Sequence, residues 1–395
     1  MRERPGGFGR GRGHAVGDRG GPAVRGRIAA AARGAAGALL LSLAACGGPD
    51  AARSPLDDPE VAATSSGRRV EAREGEPFAQ VVVAGPPRAM GVRLGALLAE
   101  PIRRRLARPL PGAVREAVRL YAPEVARLLP PAMAEELRGI AAGAGVDAGA
   151  LLEREVAHEV ARWVEPATAR LDGAFAAAPG ERPAVAVAWS DLGAAVAGTG
   201  AEAGEAGWVL VERRPAGRAA TLSLGWAGSL GGVVVVAESG AVAAAVEDGT
   251  LEPEQRSLRG MPPAAAVRWA VEEGGDAAAL WAGMPRLVGH RAIVADAGNR
   301  RLDARRWLVG DDPVASGPAA WVLRPASEGA ARREGAARQD AQMGGYAARP
   351  GVDQALTLAM AGVGAAAGGP LALLATADGV EVRAAERTWV YAWAR

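Results

Sequence analysis

Residues 182–193 read RPAVAVAWSDLG. From Ala184 to Trp189 small and larger apolar residues alternate, which predicts a buried strand over 184–190. The stretch holds no cysteine, no histidine and one serine, Ser190. It also marks the point where the chain changes its hydrophobic period. Before it, apolar residues recur at intervals of three and four. After it, they gather in short runs separated by glycine and charged turns.

The helical part comes first. In 88–110, Met90, Leu94, Leu97, Leu98 and Ile102 fall on one face. In 112–129, Val114, Val118, Tyr121, Val125 and Leu128 do the same. A third helix is expected over 131–145, with Gly143 and Gly145 as stop signals. Asp147 is placed to cap a fourth through residue 164. A strand over 78–85 precedes this block. The β runs after it are 184–190, 207–214, 220–226, 231–238 and 241–248, the pattern of an antiparallel meander. Helices return at 262–274 and 276–284, and strands at 290–297 and 301–309. A long polar loop over 325–350, a helix near 352–362 and three closing strands follow. Helices, sheet, helices, sheet is the order of a layered α+β domain.

Composition narrows the function. All 46 basic residues are arginine, and ten of the few aromatics are tryptophan. The first 45 residues carry eight arginines against Glu3 and Asp18, a net +6. The whole chain is +2, which leaves −4 for the rest. The body is therefore mildly acidic, with no basic stripe interleaved with aromatics, and nucleic acid is not an expected partner. The arginine-rich start is followed by AAGALLLSLAAC, too short to cross a bilayer as a mature helix and ending in small residues. Leu43-Ala44-Ala45-Cys46-Gly47 resembles the bacterial lipobox, in which the cysteine takes a diacylglyceryl group and the chain is cut before it. Cys46 is the single cysteine of the chain. The expected layout is a lipoprotein signal over 1–45, a flexible tether over 46–77 and one domain over 78–395. The partner is then the membrane, through lipidated Cys46. Gly47 follows the cysteine in place of Asp, so in a bacterium with two membranes the outer membrane of the cell envelope is the expected location.

Within the domain, a set of motifs recurs in a definite order. Met90-Gly91 with Gly95 and Leu97-Leu98 opens it. EELRGIAAGAGVD (135–147), with Leu151-Leu152 after it, is the most specific. VERRPAG (211–217), SLGWAG (223–228), AESGAV (237–242), GMPPAAAVRWAVE (260–272) and MPRLVGHRAIVADAGN (284–299) follow. This ordered set resembles the isopenicillin-N acyltransferase family, autoproteolytic cysteine acyltransferases and amidohydrolases of the Ntn-hydrolase superfamily. The resemblance covers roughly residues 80–310. It implies a four-layer αββα sandwich and an internal cut that exposes a cysteine at the head of a strand. The thiolate attacks an amide or thioester carbonyl, and an asparagine with backbone N–H groups holds the oxyanion.

The family's reactive groups are missing at the matching positions. Aligned on Trp189 and Asp191, the nucleophile position falls near Pro183. The oxyanion asparagine falls on Ala237, and Asn299 is the single asparagine of the chain. The expected protein is thus a catalytically inactive relative that binds a small acyl or amide ligand or serves as a scaffold. One alternative is an active hydrolase or acyltransferase with Ser190 or Thr199 as nucleophile. The other is a purely structural envelope protein. His158, flanked by Glu155 and Glu159, lacks converging metal ligands, and no metal or cofactor is expected. His290 reads as a strand-edge residue and Glu247-Asp248 as a turn. Trp208, Trp226 and Trp269 read as core or boundary packing.

Overall fold

The computed structural model describes residues 55–70, 76, 78–164, 173–178, 184–189, 207–247, 260–273, 280, 284, 290–296, 301–307, 321–323, 371–376, 378–384 and 387–394. The fold is α+β. After a short 3-10 turn (Pro55–Asp57), helix α1 (Pro59–Thr64) leads into strands β1 (Ser66–Val70) and β2 (Ala79–Gly85). The helical block is α2 (Pro87–Leu97), α3 (Ala99–Ala107), α4 (Gly112–Leu128), α5 (Pro131–Ala144) and α6 (Ala148–Val164). Strands β3 (Gly173–Ala178), β4 (Ala184–Trp189), β5 (Trp208–Pro215), β6 (Thr221–Trp226), β7 (Val234–Ala237) and β8 (Val242–Glu247) come next. Helix α7 (Pro263–Glu273) precedes β9 (His290–Asp296), β10 (Arg301–Trp307), β11 (Trp321–Leu323), β12 (Leu371–Thr376), β13 (Gly379–Ala384) and β14 (Arg387–Ala392).

The strands form two sheets. The first runs β1-β2-β5-β6-β7-β8-β9-β10 and the second β11-β3-β4-β12-β13-β14. Among the described strands every pairing is antiparallel except β2 with β5, which run in the same direction. Alternation assigns the two faces of the first sheet. Val81, Val83, Val209, Val211, Val235 and Ala243 share one core with Met90, Ile102, Val118, Ile140 and Val267 of the helices. The intervening Leu210, Leu222, Leu224, Val234, Val236 and Val242 are equally buried and point the other way. There the second sheet covers them, β4 against β8 and β12 against β7. Ala375, Val380, Val382 and Tyr391 are buried in it. Tyr391 Oη accepts the Phe78 N–H at 3.1 Å, and Gln80 Nε2 donates to the Ala392 carbonyl at 3.1 Å. Helix layer, sheet and sheet thus stack in that order. The segment expected to add a helix over 352–362 lies outside the described residues, as do 276–279 and the loop 325–350.

Three local expectations change. The tether read over 46–77 contains structure. Ser66–Val70 pairs with Ala84–Gln80 as the edge strand of the first sheet, and Val61 of α1 packs with Ala89 and Val92. SGRRV looks like linker because four of its five residues are exposed, as an edge strand allows. The single helix expected over 88–110 is two, with Leu98 between them at φ −114° and ψ 19°. Pro101 has no N–H for the Leu97 carbonyl, so a new helix starts where proline fits its first turn. Gly143 lies inside α5, and the stop is Gly145 alone, at φ 66°. Asp147 does cap α6: its Oδ1 accepts the Ala150 N–H at 2.8 Å.

Gly143 has another task. Gly91 and Gly95 of α2 face Gly139 and Gly143 of α5, four residues apart on each helix. A Cβ at Gly95 would lie 2.1 Å from the Ile140 carbonyl oxygen, and one at Gly143 2.1 Å from that of Val92. The two backbones touch, which glycine alone permits.

Candidate functional site

The strand expected over 184–190 is β4, in the interior of the second sheet. Ala184 heads it, opposite Ala178 of β3 and Thr376 of β12. Trp189 ends it, opposite Gly173 and Leu371. Pro183, Ser190, Thr199 and Cys46 lie outside the described residues. Ala237 is described: it ends β7, is fully buried, and its N–H donates to the Ala241 carbonyl at 2.7 Å. It belongs to the core shared with the helices, on the face of the first sheet turned away from β4. Position 237 serves packing.

What the motifs bring together instead is a cluster of buried charges under the helix layer. Glu136 of α5 shares its helix face with Met133, Leu137 and Ile140. Arg213 lies on β5 on the helix side, in phase with Val209 and Val211. Arg268 and Glu272 lie one turn apart on α7. Glu136, Arg213, Arg268 and Glu272 are all at most 2% exposed.

The geometry pairs them closely. Glu136 Oε1 accepts from Arg213 Nε at 2.9 Å and from Arg268 at 3.0 Å, and its Oε2 accepts from Arg268 at 2.5 Å. Arg268 Nε donates to Glu272 Oε1 at 2.5 Å, which also accepts from Thr221 Oγ1 at 3.2 Å. Arg213 donates to Ser223 Oγ and to the Ser229 carbonyl, both at 2.8 Å, and Arg268 to the Leu230 carbonyl at 2.5 Å. From the other side, Glu155 Oε1 accepts from Ser229 Oγ at 2.8 Å and from the Leu230 N–H at 3.2 Å. The loop between β6 and β7 is therefore gripped by side chains from β5, α6 and α7. Its Gly231 has no room for a Cβ, which would lie 2.0 Å from the Ala264 carbonyl oxygen.

Beside this grip, Arg105 lies 3.9 Å from Glu155 and 5.7 Å from the Trp226 ring centre, and Trp226 packs on Trp208 at 4.6 Å. Burial lowers Arg105 to about 10, so it stays cationic at neutral pH. Trp269 is half-buried under Arg218, 4.4 Å from its ring. These tryptophans pack at layer boundaries, as expected.

Two arginines and two glutamates in the central cluster balance in charge. Burial alone would raise Glu136, but the adjacent Arg268 and Arg213 outweigh it and hold the carboxyl below its ordinary value. Burial would likewise lower Arg268, but the adjacent Glu136 and Glu272 carboxylates outweigh it and raise the guanidinium above its ordinary value. A depressed carboxyl stabilises the fold above its unfolded value and loses that contribution as pH falls through the folded one. Stability should therefore be level from neutrality down to about pH 4.3, the unfolded glutamate value, and decline below it. Chemical denaturation from pH 7 to pH 2.5 checks this. In a Glu136→Gln variant the acid-dependent part should shrink.

The cluster can hold layers together: its hydroxyls, on Thr221, Ser223 and Ser229, are buried and donate to Glu272, the Val211 carbonyl and Glu155, and Glu272 Oε2 is left without a hydrogen-bond partner among the described residues. Among the described residues no group of three or more His, Cys, Asp or Glu could hold a metal ion. His290 heads β9 opposite Glu247 and Trp307, and His158 lies on α6. Sequence reasoning used the motifs as family marks and missed their convergence. The signal was present: Glu136 and Arg268 sit on otherwise apolar helix faces. Neither models of known protein families nor curated protein sequences give a match to this chain.

Proposed function

We propose that the chain is a lipid-anchored bacterial envelope protein with an Ntn-hydrolase-like αββα domain that performs no nucleophilic catalysis. Cys46 carries the lipid and holds the protein at the outer membrane. The domain then binds a small acyl or amide ligand or acts as a scaffold. One observation carries the loss of catalysis. β4 is an interior strand stacked on the first sheet, as the nucleophile strand of such a fold would be, and no residue from 182 to 189 bears a thiol or hydroxyl. The helix layer followed by two facing sheets supports the wider reading.

Ser190 fits the active alternative poorly. Ala184–Trp189 already forms β4, so a cut before Ser190 would put these strand residues ahead of the new amine instead of after it. Intact-mass measurement under denaturing conditions tests the proposal. The protein should run as one chain apart from loss of its signal. Two fragments divided between 183 and 199 would overturn the inactive reading and restore Ser190 or Thr199 as nucleophile.

A further inference from the structure

An open surface cleft of ≈ 260 Å³ lies between the α3–α4 turn, α4 and α6. Arg108, Arg115, Arg119 and Arg154 line it against one carboxylate, Glu153. Guanidinium groups thus outnumber carboxylates among the lining residues. Arg154 donates to the Leu106 and Arg108 carbonyls at the end of α3, and Arg115 to the Leu110 carbonyl at 3.2 Å. A guanidinium has five N–H donors, so these bonds leave donors on both for a ligand.

Like charges crowd one another here. Burial, and after it the like charge of Arg108, holds Arg154 below the ordinary arginine value. Arg115 lies in the first turn of α4, the end of a helix that repels cations. The cap there is Pro111, with no side-chain hydrogen bond to the first turn. Pockets for drug-sized ligands run from about 300 to 1,000 Å³, so this one suits a small group. Arginine forks match phosphate oxygens in pairs.

We propose that this cleft binds a phosphate-type anion. Two sources offer that chemistry, a small phosphorylated molecule and the phosphodiester headgroup of a lipid. The full-length protein is tested in low salt in two arms. Inorganic phosphate is titrated by calorimetry, and flotation is compared on vesicles of phosphatidylglycerol and of phosphatidylcholine. Both arms are repeated with R115Q/R119Q, whose side chains are exposed, and with R88Q, an exposed arginine elsewhere. A lipid on Cys46 is common to all three proteins and cancels. Saturable phosphate binding, weakened about tenfold or more in R115Q/R119Q alone, supports the proposal with a soluble source. A loss of phosphatidylglycerol flotation confined to R115Q/R119Q supports it with a lipid source. If R115Q/R119Q behaves like the wild type or like R88Q in both arms, the proposal is overturned.

Discussion

Glu136→Ala should destabilise the folded chain by about 3–5 kcal/mol, the cost of leaving buried charge without its partner. The substitution removes three accepted hydrogen bonds and strands Arg213 and Arg268 beneath the helix layer with Glu272 as the remaining carboxylate. Native domains have about 5–15 kcal/mol in total, so this one side chain accounts for a large share. The neighbouring residue supplies the contrast. Glu135 also pairs with arginines, Arg88 and Arg138, but is 39% exposed. Glu135→Ala should cost about 0–1 kcal/mol, as screened surface pairs do. Urea unfolding followed by tryptophan fluorescence reads both. Equal losses would show that the buried cluster contributes no more than a surface pair.

A second large effect is expected at the α2–α5 contact, and its sign is the test. Glycine to alanine inside an exposed helix ordinarily gains about 0.5–1 kcal/mol. At Gly139 the added methyl would lie 2.1 Å from the Arg88 carbonyl oxygen, and at Gly91 2.3 Å from that of Glu136. Both obstacles are backbone, which cannot turn aside as a side chain would. Gly139→Ala should therefore destabilise by about 1–3 kcal/mol, and a Gly91→Ala/Gly139→Ala pair by more. Gly112, at the start of α4, has no atom near its missing Cβ, so Gly112→Ala should stabilise by about 0.4–1 kcal/mol. Thermal melts of the three variants decide it. A gain at Gly139 would mean that the helices do not touch there.

Strands β5 to β8 were legible because valine and leucine alternate or cluster between glycine turns. Helix α5 and its neighbours were legible from apolar spacing, and Asp147 from its place before an apolar run. β3 was not, since GAFAAA contains one residue larger than alanine and alanine fits any surface. β1 was not, since an exposed edge strand has the composition of a linker. The break at Leu98 needed Pro101 weighed against a continuous apolar face. The candidate site was less legible still. The sequence could say which reactive residues were missing, because a missing thiol needs no geometry. It could not say that Glu136, Arg213 and Arg268 meet, because they come from three segments up to 132 residues apart. Nor could it say which face of β7 Ala237 takes, which depends on register.

The parallel pairing of β2 and β5 has a topological effect on any cleavage of this chain. Ala79 to Gly85 lie beside Val209 to Pro215, so the helical excursion and β4 form one closed loop fastened at its neck by main-chain bonds. Severing the backbone inside that loop would not release either piece. Glu136 on one side of the nick would still grip Arg213 and Arg268 on the other. A nicked molecule would thus elute, sediment and melt much as an uncut one does.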